Sequence, residues 1–280
     1  MKNPKNITQR PGFASILLLL TLLFGLVEAH ATMTWQPVAA KEQHGMSHGG
    51  MRPKLFQLTE HPDSKVNLWT PSLVVIELKG RQQQFAIRPT GMDSYHALVA
   101  EYEDKTQVAA AIRYLHLRGR PSSESPSRLT EVVKTAFEIV PAPLPREHRR
   151  YHANHDAVFV ARYKGQLLPA TLLTLNTSNG SRLTAITDEN AIARFTLPDD
   201  FAQTRPGERA NRPAEFVISS EHQMDGITYR TSLSAPYHAD PAHWESLPLG
   251  TAVIVMGFAA GLVMTSRGKQ NPKEHKSRNK

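Results

Sequence analysis

From residue 54 onward the chain is written in short apolar or alternating runs separated by turn residues. In the first half these runs are 54–58, 73–78, 84–87, 96–102 and 106–117, and Met33-Thr34-Trp35 ahead of them has the character of a first edge strand. Val74, Ile76 and Leu78 alternate with Val75, Glu77 and Lys79, the period of two that marks a half-buried strand. The second half repeats the style at 157–163, 170–175, 182–187, 193–197, 215–220 and 228–234, with turns at Lys164-Gly165, at 177–180 and at 222–226. Residues 118–128 hold Gly, Pro and Ser without apolar anchors and read as a loop, as does 199–213. The stretch 129–140 fits a short helix by the spacing of Val132, Val133 and Ala136, yet 135–140 alternates, and a strand is the expectation. Pro141, Pro143 and Pro145 then make a stiff spacer. Strands about every ten residues, without any βαβ alternation, predict an all-β protein. Its architecture is expected to be two Ig-like β-sandwich domains, over 54–145 and 146–236.

Two segments break the β pattern. Pro248–Met264 carries no charge, and with Leu247 and Thr265 added a helix rising ~1.5 Å per residue crosses a ~30 Å hydrocarbon core. We therefore expect a transmembrane helix over 247–266, a polar stalk over 237–246 before it and a basic tail over 267–280 after it. That tail holds Arg267, Lys269, Lys273, Lys276, Arg278 and Lys280 against Glu274 alone, and short flanks rich in Lys and Arg stay in the cytoplasm. The body then lies on the other side of the membrane. Gly257 and Gly261, four residues apart, offer a face on which the helix of a membrane partner can pack closely. At the other end, Lys2, Lys5 and Arg10 precede an apolar run over 13–27 and a small-residue cleavage site, so 1–31 reads as a signal peptide cut after Ala29 or after Ala31.

Charge follows this topology. The net +8 and pI near 9.7 reside in the two termini, because without the leader and tail 24 basic residues face 23 acidic ones. Nucleic-acid binding thereby loses its main support. With no cysteine, the chain has no disulfide framework, thiolate metal site or cysteine nucleophile, and stability must come from apolar burial.

The segment Lys164-Gly-Gln-Leu-Leu-Pro-Ala-Thr-Leu-Leu-Thr, followed by Thr187-Asp-Glu-Asn-Ala-Ile-Ala-Arg-Phe-Thr-Leu-Pro198, resembles the repeating pattern of carboxypeptidase-regulatory-like or prealbumin-like β-sandwiches. Asp188 and Asn190 suit a tight turn held by side-chain to backbone bonds, while Ala191 stands where the pattern usually has Gly. With the leader, the Ala-His pair at the cleavage site and the C-terminal anchor, the whole is similar to a family of periplasmic proteins associated with nickel and cobalt uptake. That resemblance implies sandwiches on the periplasmic face of a bacterial inner membrane and a role in metal handling.

The sharpest chemical pattern is His44-Gly-Met-Ser-His-Gly-Gly-Met51, within an arm over 32–53 that lacks apolar periodicity. His44, Met46, His48 and Met51 combine imidazole with thioether, a donor set suited to copper and, through the methionines, to Cu(I). A polar arm with incidental composition is the other reading of the same residues. His30 becomes a chelating N-terminus if the leader is cut after Ala29 and is discarded if it is cut after Ala31. His148, His152 and His155 would share one face of a helix, but Arg149 and Arg150 oppose a cation there. His222 with Met224, His238, and His243 with Trp244 belong to loops or the stalk, and His61, His96 and His116 read as ordinary strand or turn residues.

No enzyme signature is present: Ser47 lacks an elbow turn, and the acid pairs Asp199-Asp200 and Glu101/Glu103 read as turn and strand-face residues. The expected function is a membrane-anchored periplasmic accessory protein that binds a transition metal ion, copper or nickel/cobalt, and delivers it to an inner-membrane partner. The alternative is a structural or assembly subunit of a membrane complex, in which the histidines are incidental.

Overall fold

The computed structural model describes residues 32–38, 53–145, 150–245 and 247–267. In its first half the strands are β1 (Trp35–Pro37), β2 (Lys54–Leu58), β3 (Lys65–Trp69), β4 (Val75–Glu77), β5 (Gln84–Ile87), β6 (Met92–Glu103), β7 (Gln107–Leu117) and β8 (Arg120–Pro121). Helix α1 (Pro126–Glu131) separates these from β9 (Phe137–Pro141), β10 (Tyr151–His152), β11 (Asp156–Tyr163), β12 (Gln166–Leu167) and β13 (Leu172–Thr177). The chain continues through β14 (Arg182–Ile186), β15 (Ile192–Thr196), β16 (Ala214–Met224) and β17 (Ile227–His238) to helix α2 (Leu247–Arg267). The all-β reading holds, and β2 and β5 fall on the residues expected of them.

Strand β7 reads Gln-Val-Ala-Ala-Ala-Ile-Arg-Tyr-Leu-His-Leu, and its residues from Ala109 to Leu115 are all buried. Such a strand has layers on both faces, as its near-continuous apolar run requires. Alternate residues serve different cores: Ala109, Ala111, Leu115 and Leu117 join one apolar cluster, Ile112 and Tyr114 the other. Strand β6 divides in the same way, with Leu98 and Ala100 on one side and Ala97 and Val99 on the other.

These two strands lie inside a ten-stranded sheet ordered β14-β13-β16-β17-β7-β6-β3-β4, with β10 added to β17 and β8 to β6. On one face packs the three-stranded sheet β1-β2-β5, contributing Trp35, Phe56, Leu58, Phe85 and Ile87. The indole Nε1 of Trp35 donates to the carbonyl of Ala111 at 3.0 Å, and Trp35 meets Phe85 edge-on at 5.4 Å. On the other face packs the four-stranded sheet of β9, β11, β15 and β12, whose Phe137, Ile139, Phe159 and Phe195 meet Leu173, Phe216, Ile218, Leu233 and Tyr237.

The halves are joined rather than strung together. Strand β17 pairs parallel with β7, from Thr228↔Gln107 to Leu233↔Ile112. The hydroxyl of Ser232 donates to the carbonyl of Met33 at 2.5 Å, and Arg113 makes a two-pronged bond to Glu215 at 2.6 and 3.0 Å beneath the ring of Phe56. The proline cluster at 141–145 does not separate the cores, since β9 pairs with β11 and Leu129, Phe137, Ile139 and Leu144 all pack in the second one.

Three local expectations change. Residues 129–140 are neither all strand nor all helix: Ser125 caps α1 with its hydroxyl on the Ser127 amide, Pro126 occupies the first turn, and the strand begins only at Phe137. Strand β4, expected to be half-buried, is exposed on both faces at Val75 and Ile76: it lies at the edge of its sheet, and none of its residues joins either apolar core. Strand β17 runs on to His238, into the expected stalk.

The turns follow residue chemistry. Asp188 accepts from the amides of Asn190 and Ile192 at 2.9 and 2.8 Å, and Ala191 stands at φ 59°, in the left-handed region where related patterns place Gly. Lys164-Gly165 joins β11 to β12 with φ 48° and 80°, the mirror-image turn that suits strand twist. Helix α2 is 21 residues long, and its Ile254, Val255, Met256, Phe258, Leu262, Val263 and Met264 are exposed. Among the described residues no helix is long and apolar enough to cross a membrane; the side chains described in α2 are those of 254–264.

Ala111→Leu tests the shared sheet, because it thickens a fully buried position under Trp35. We expect a loss of about 1–3 kcal/mol or more in urea unfolding, against less than about 0.5 kcal/mol for Thr184→Val on exposed β14.

Candidate functional site

Four histidines gather where β17 ends. Parallel pairing of β10 with β17 sets Tyr151 beside Tyr237 and His152 beside His238, with the two imidazole centroids 5.9 Å apart. Tyr151 fixes this pairing from below by packing edge-on against Phe216 at 5.2 Å. The chain then turns sharply: Ala153 N donates to His238 O at 2.8 Å, Asn154 adopts φ 60°, and His155 N donates to His152 O at 3.3 Å. Asn is among the residues that tolerate this left-handed backbone. His155 reaches 5.9 Å from His152, ring to ring, and stands largely in solvent.

Carboxylates interleave with these rings. Asn154 donates to Asp199 at 3.2 Å and to Asp240 at 3.0 Å. His243 Nε2 lies 2.8 Å from Asp199, and His155 Nε2 lies 3.9 Å from Asp240. Glu208 accepts from Arg150 at 2.8 Å and has His238 Nδ1 at 3.7 Å on the same oxygen. Burial, with Arg150 and His152 beside it, holds His238 down to about 4 against the opposing pull of Glu208. The amide of Ala242 and the side chain of Asn154 keep Asp240 below the usual carboxylate range.

This is a network of acid–base pairs rather than a coordination sphere. Among the described residues no group of three or more His, Asp or Glu side chains converges so as to hold a metal ion. The helical face expected of His148, His152 and His155 is not formed where it is described: His152 lies in a strand and His155 beyond a turn, because the pairing with β17 dictates the backbone there. His148, like His30, His44, Met46, His48 and Met51, lies outside the described residues.

The other histidines have local partners. His96 is fully buried between the hydroxyl of Thr90 at 2.6 Å and the carbonyl of Ser94 at 3.1 Å, and burial lowers its pKa. His61 stacks on Tyr102 at 4.0 Å, and His222 sits among Phe137 and Tyr163. By sequence His238 and His243 fall in the expected stalk, and their grouping with Asp199, Glu208 and Asp240 emerges only in the fold. The local signal was His238-Ala-Asp240, an imidazole and a carboxylate flanking a fully buried alanine at a strand end.

No family model matches the chain, and no curated protein matches it. Among solved structures it is similar to a 1.5-MDa bacterial ice-binding adhesin, with 12% identity over 67% of this chain and 57% of that one, at a TM-score of 0.23. It is also similar to a Ca2+-stabilized ice-binding adhesin of an Antarctic bacterium, with 13% identity over 75% of this chain and 49% of that one, at a TM-score of 0.25. The chain thus spans about half of each adhesin chain, and scores this low carry no argument about function.

His238 makes the strand end acid-sensitive. Its folded pKa lies below the ordinary 6.5, so its stabilising contribution is complete above pH 6.5 and is lost as pH falls from there toward 4. In urea titrations at pH 7 and pH 4, His238→Gln should lose less stability on acidification than the wild type, by on the order of 2 kcal/mol.

Proposed function

We propose that the protein is a bacterial, membrane-anchored accessory protein whose β body lies on the periplasmic side, with a leader at 1–31 and a single C-terminal span at 247–266. We read its halves as two Ig-like sandwiches fused through one sheet. The observation that carries the proposal is the contrast between this body, with two packed apolar cores, and α2, whose apolar side chains from Ile254 to Met264 are exposed. A helix that carries no charge before Arg267 and presents an apolar surface has its natural solvent in lipid. A shallow groove along it is lined by Ile254, Gly257, Phe258, Gly261 and Leu262, a surface of the kind on which a partner's transmembrane helix packs.

The accessory role we assign is capture of a transition metal ion, copper or nickel/cobalt, by His44, Met46, His48 and Met51, and its transfer to the membrane partner. Support for it comes from ligand chemistry and from the resemblance to nickel- and cobalt-uptake proteins. A second reading, an assembly subunit without a metal role, is favoured by one observation: His152, His155, His238 and His243 all lie beside carboxylates or one another instead of forming a ligand set.

Two measurements test these readings. Deleting 247–267 should release the chain from membranes that withstand alkaline carbonate, and retention of the shortened chain would overturn the anchor. In titrations of the full chain, at least one of Cu(I), Cu(II), Ni(II) and Co(II) should bind better than about micromolar, and deleting 44–51 should weaken it by about tenfold or more. Uniformly weaker binding of all four ions leaves the assembly reading.

A further inference from the structure

A cleft of about 370 Å³ opens between the start of β6, the end of β7 and helix α1. Its wall is built rather than incidental. The carbonyls that end α1 are bound from beneath: Arg162 donates to Thr130 O at 2.7 Å and Glu131 O at 3.1 Å, and Lys134 donates to Val132 O at 2.7 Å. Both cations converge on buried Glu138, Arg162 at 2.9 Å and Lys134 at 3.7 Å. A helix of one and a half turns has little stability of its own, so this buried triad is what holds the cleft's wall in place.

Inside the cleft one acceptor lacks a donor. Asp93 Oδ1 is buried and makes no hydrogen bond among the described residues, although the carboxylate as a whole is 28% exposed and lies in ion-pair range of His116 Nδ1 at 3.7 Å. The second acid, Glu124, is already paired with Arg128. Among the described residues neither Lys nor Arg contributes to the lining, whereas Tyr95, Leu144 and the prolines at 143 and 145 supply apolar surface. A buried carboxylate oxygen without a donor is costly, and a bound N–H donor relieves that cost.

We propose that the cleft binds a small organic cation, with an alkylammonium head bonded to Asp93 and its apolar stem against Tyr95, Leu144 and the prolines. An anion is disfavoured by the Asp93 carboxylate, and a metal ion lacks a set of three ligands among the described residues. The cleft volume suits a ligand of a few carbon atoms, and a charge-assisted bond gives the head its selectivity.

The test is a ligand-observed NMR titration of the full chain in a non-ionic detergent, with n-butylammonium as probe and n-butanol as its neutral counterpart. Butylammonium should bind at least about tenfold more tightly than butanol, and Asp93→Asn should erase that preference. Ser127→Trp, on the exposed rim, should block butylammonium without touching either core, and it decides the matter if Asp93→Asn does not fold. Equal binding of the two probes, or unchanged butylammonium binding in Ser127→Trp, overturns the proposal.

Discussion

The parallel pairing of β7 with β17 is the constraint on which the rest of the structure depends. It brings the last long strand of the chain against a strand from the first half, and so turns two sets of strands into one ten-stranded sheet. A sheet covered on both faces needs side chains small enough for two layers to approach, which is the role of Ala97, Ala100, Ala109 and Ala111. The seam is also held by polar bonds that leave little freedom of register. Ser232 reaches the backbone of Met33, and Arg113, 4% exposed at its side chain, is matched two-pronged by Glu215. A guanidinium so deeply placed is tolerated only where its partner is present and well aimed, so the pair favours one register over its neighbours.

Most of the strands were legible because each carries its own signal. Alternation at 54–58 and 84–87, and the turn residues Lys164-Gly165 and Asp188-Glu-Asn190, are local facts that the fold respects. Strand β3 left a weak trace, since Lys65-Val-Asn-Leu-Trp is short and buries Asn67 on the face opposite Val66 and Leu68, where a polar residue reads as exposed. Helix α1 was obscured by reading 118–128 as loop by composition, although Ser125 followed by Pro126 is a helix start in its own right. The fusion of the halves was not legible at all. A proline cluster signals a stiff chain, but stiffness says nothing about which strands meet beyond it.

The candidate site shows the same division between local and distant information. His148, His152 and His155 have helical spacing, and spacing alone cannot know that Tyr151-His152 will be claimed by β17. His238 with Asp240, Asp199, and Glu208 come from three separate segments, and only the fold brings them together. The Arg162, Lys134 and Glu138 triad was equally hidden, because buried charge in a sequence looks like surface charge until packing is known.

The sheet's register also says where the polar chemistry concentrates. Because β17 and β7 run parallel with Leu233 beside Ile112, the far end of β17 at His238 is level with the far end of β7 near Leu117. The histidine network and the cleft around Asp93, Tyr95 and His116 therefore occupy the same end of one sheet. This is also the end at which the chain leaves the body, through Asp240 and the turn at Pro241–His243, toward α2. Partly buried Tyr151 packs against Phe159 and Phe216, and His152 beside it lies against His238, so the histidine network is tied into the apolar core beneath it. The acid-sensitive His238 and the cleft around Asp93 therefore lie at one end of the sheet, the end nearest in sequence to α2.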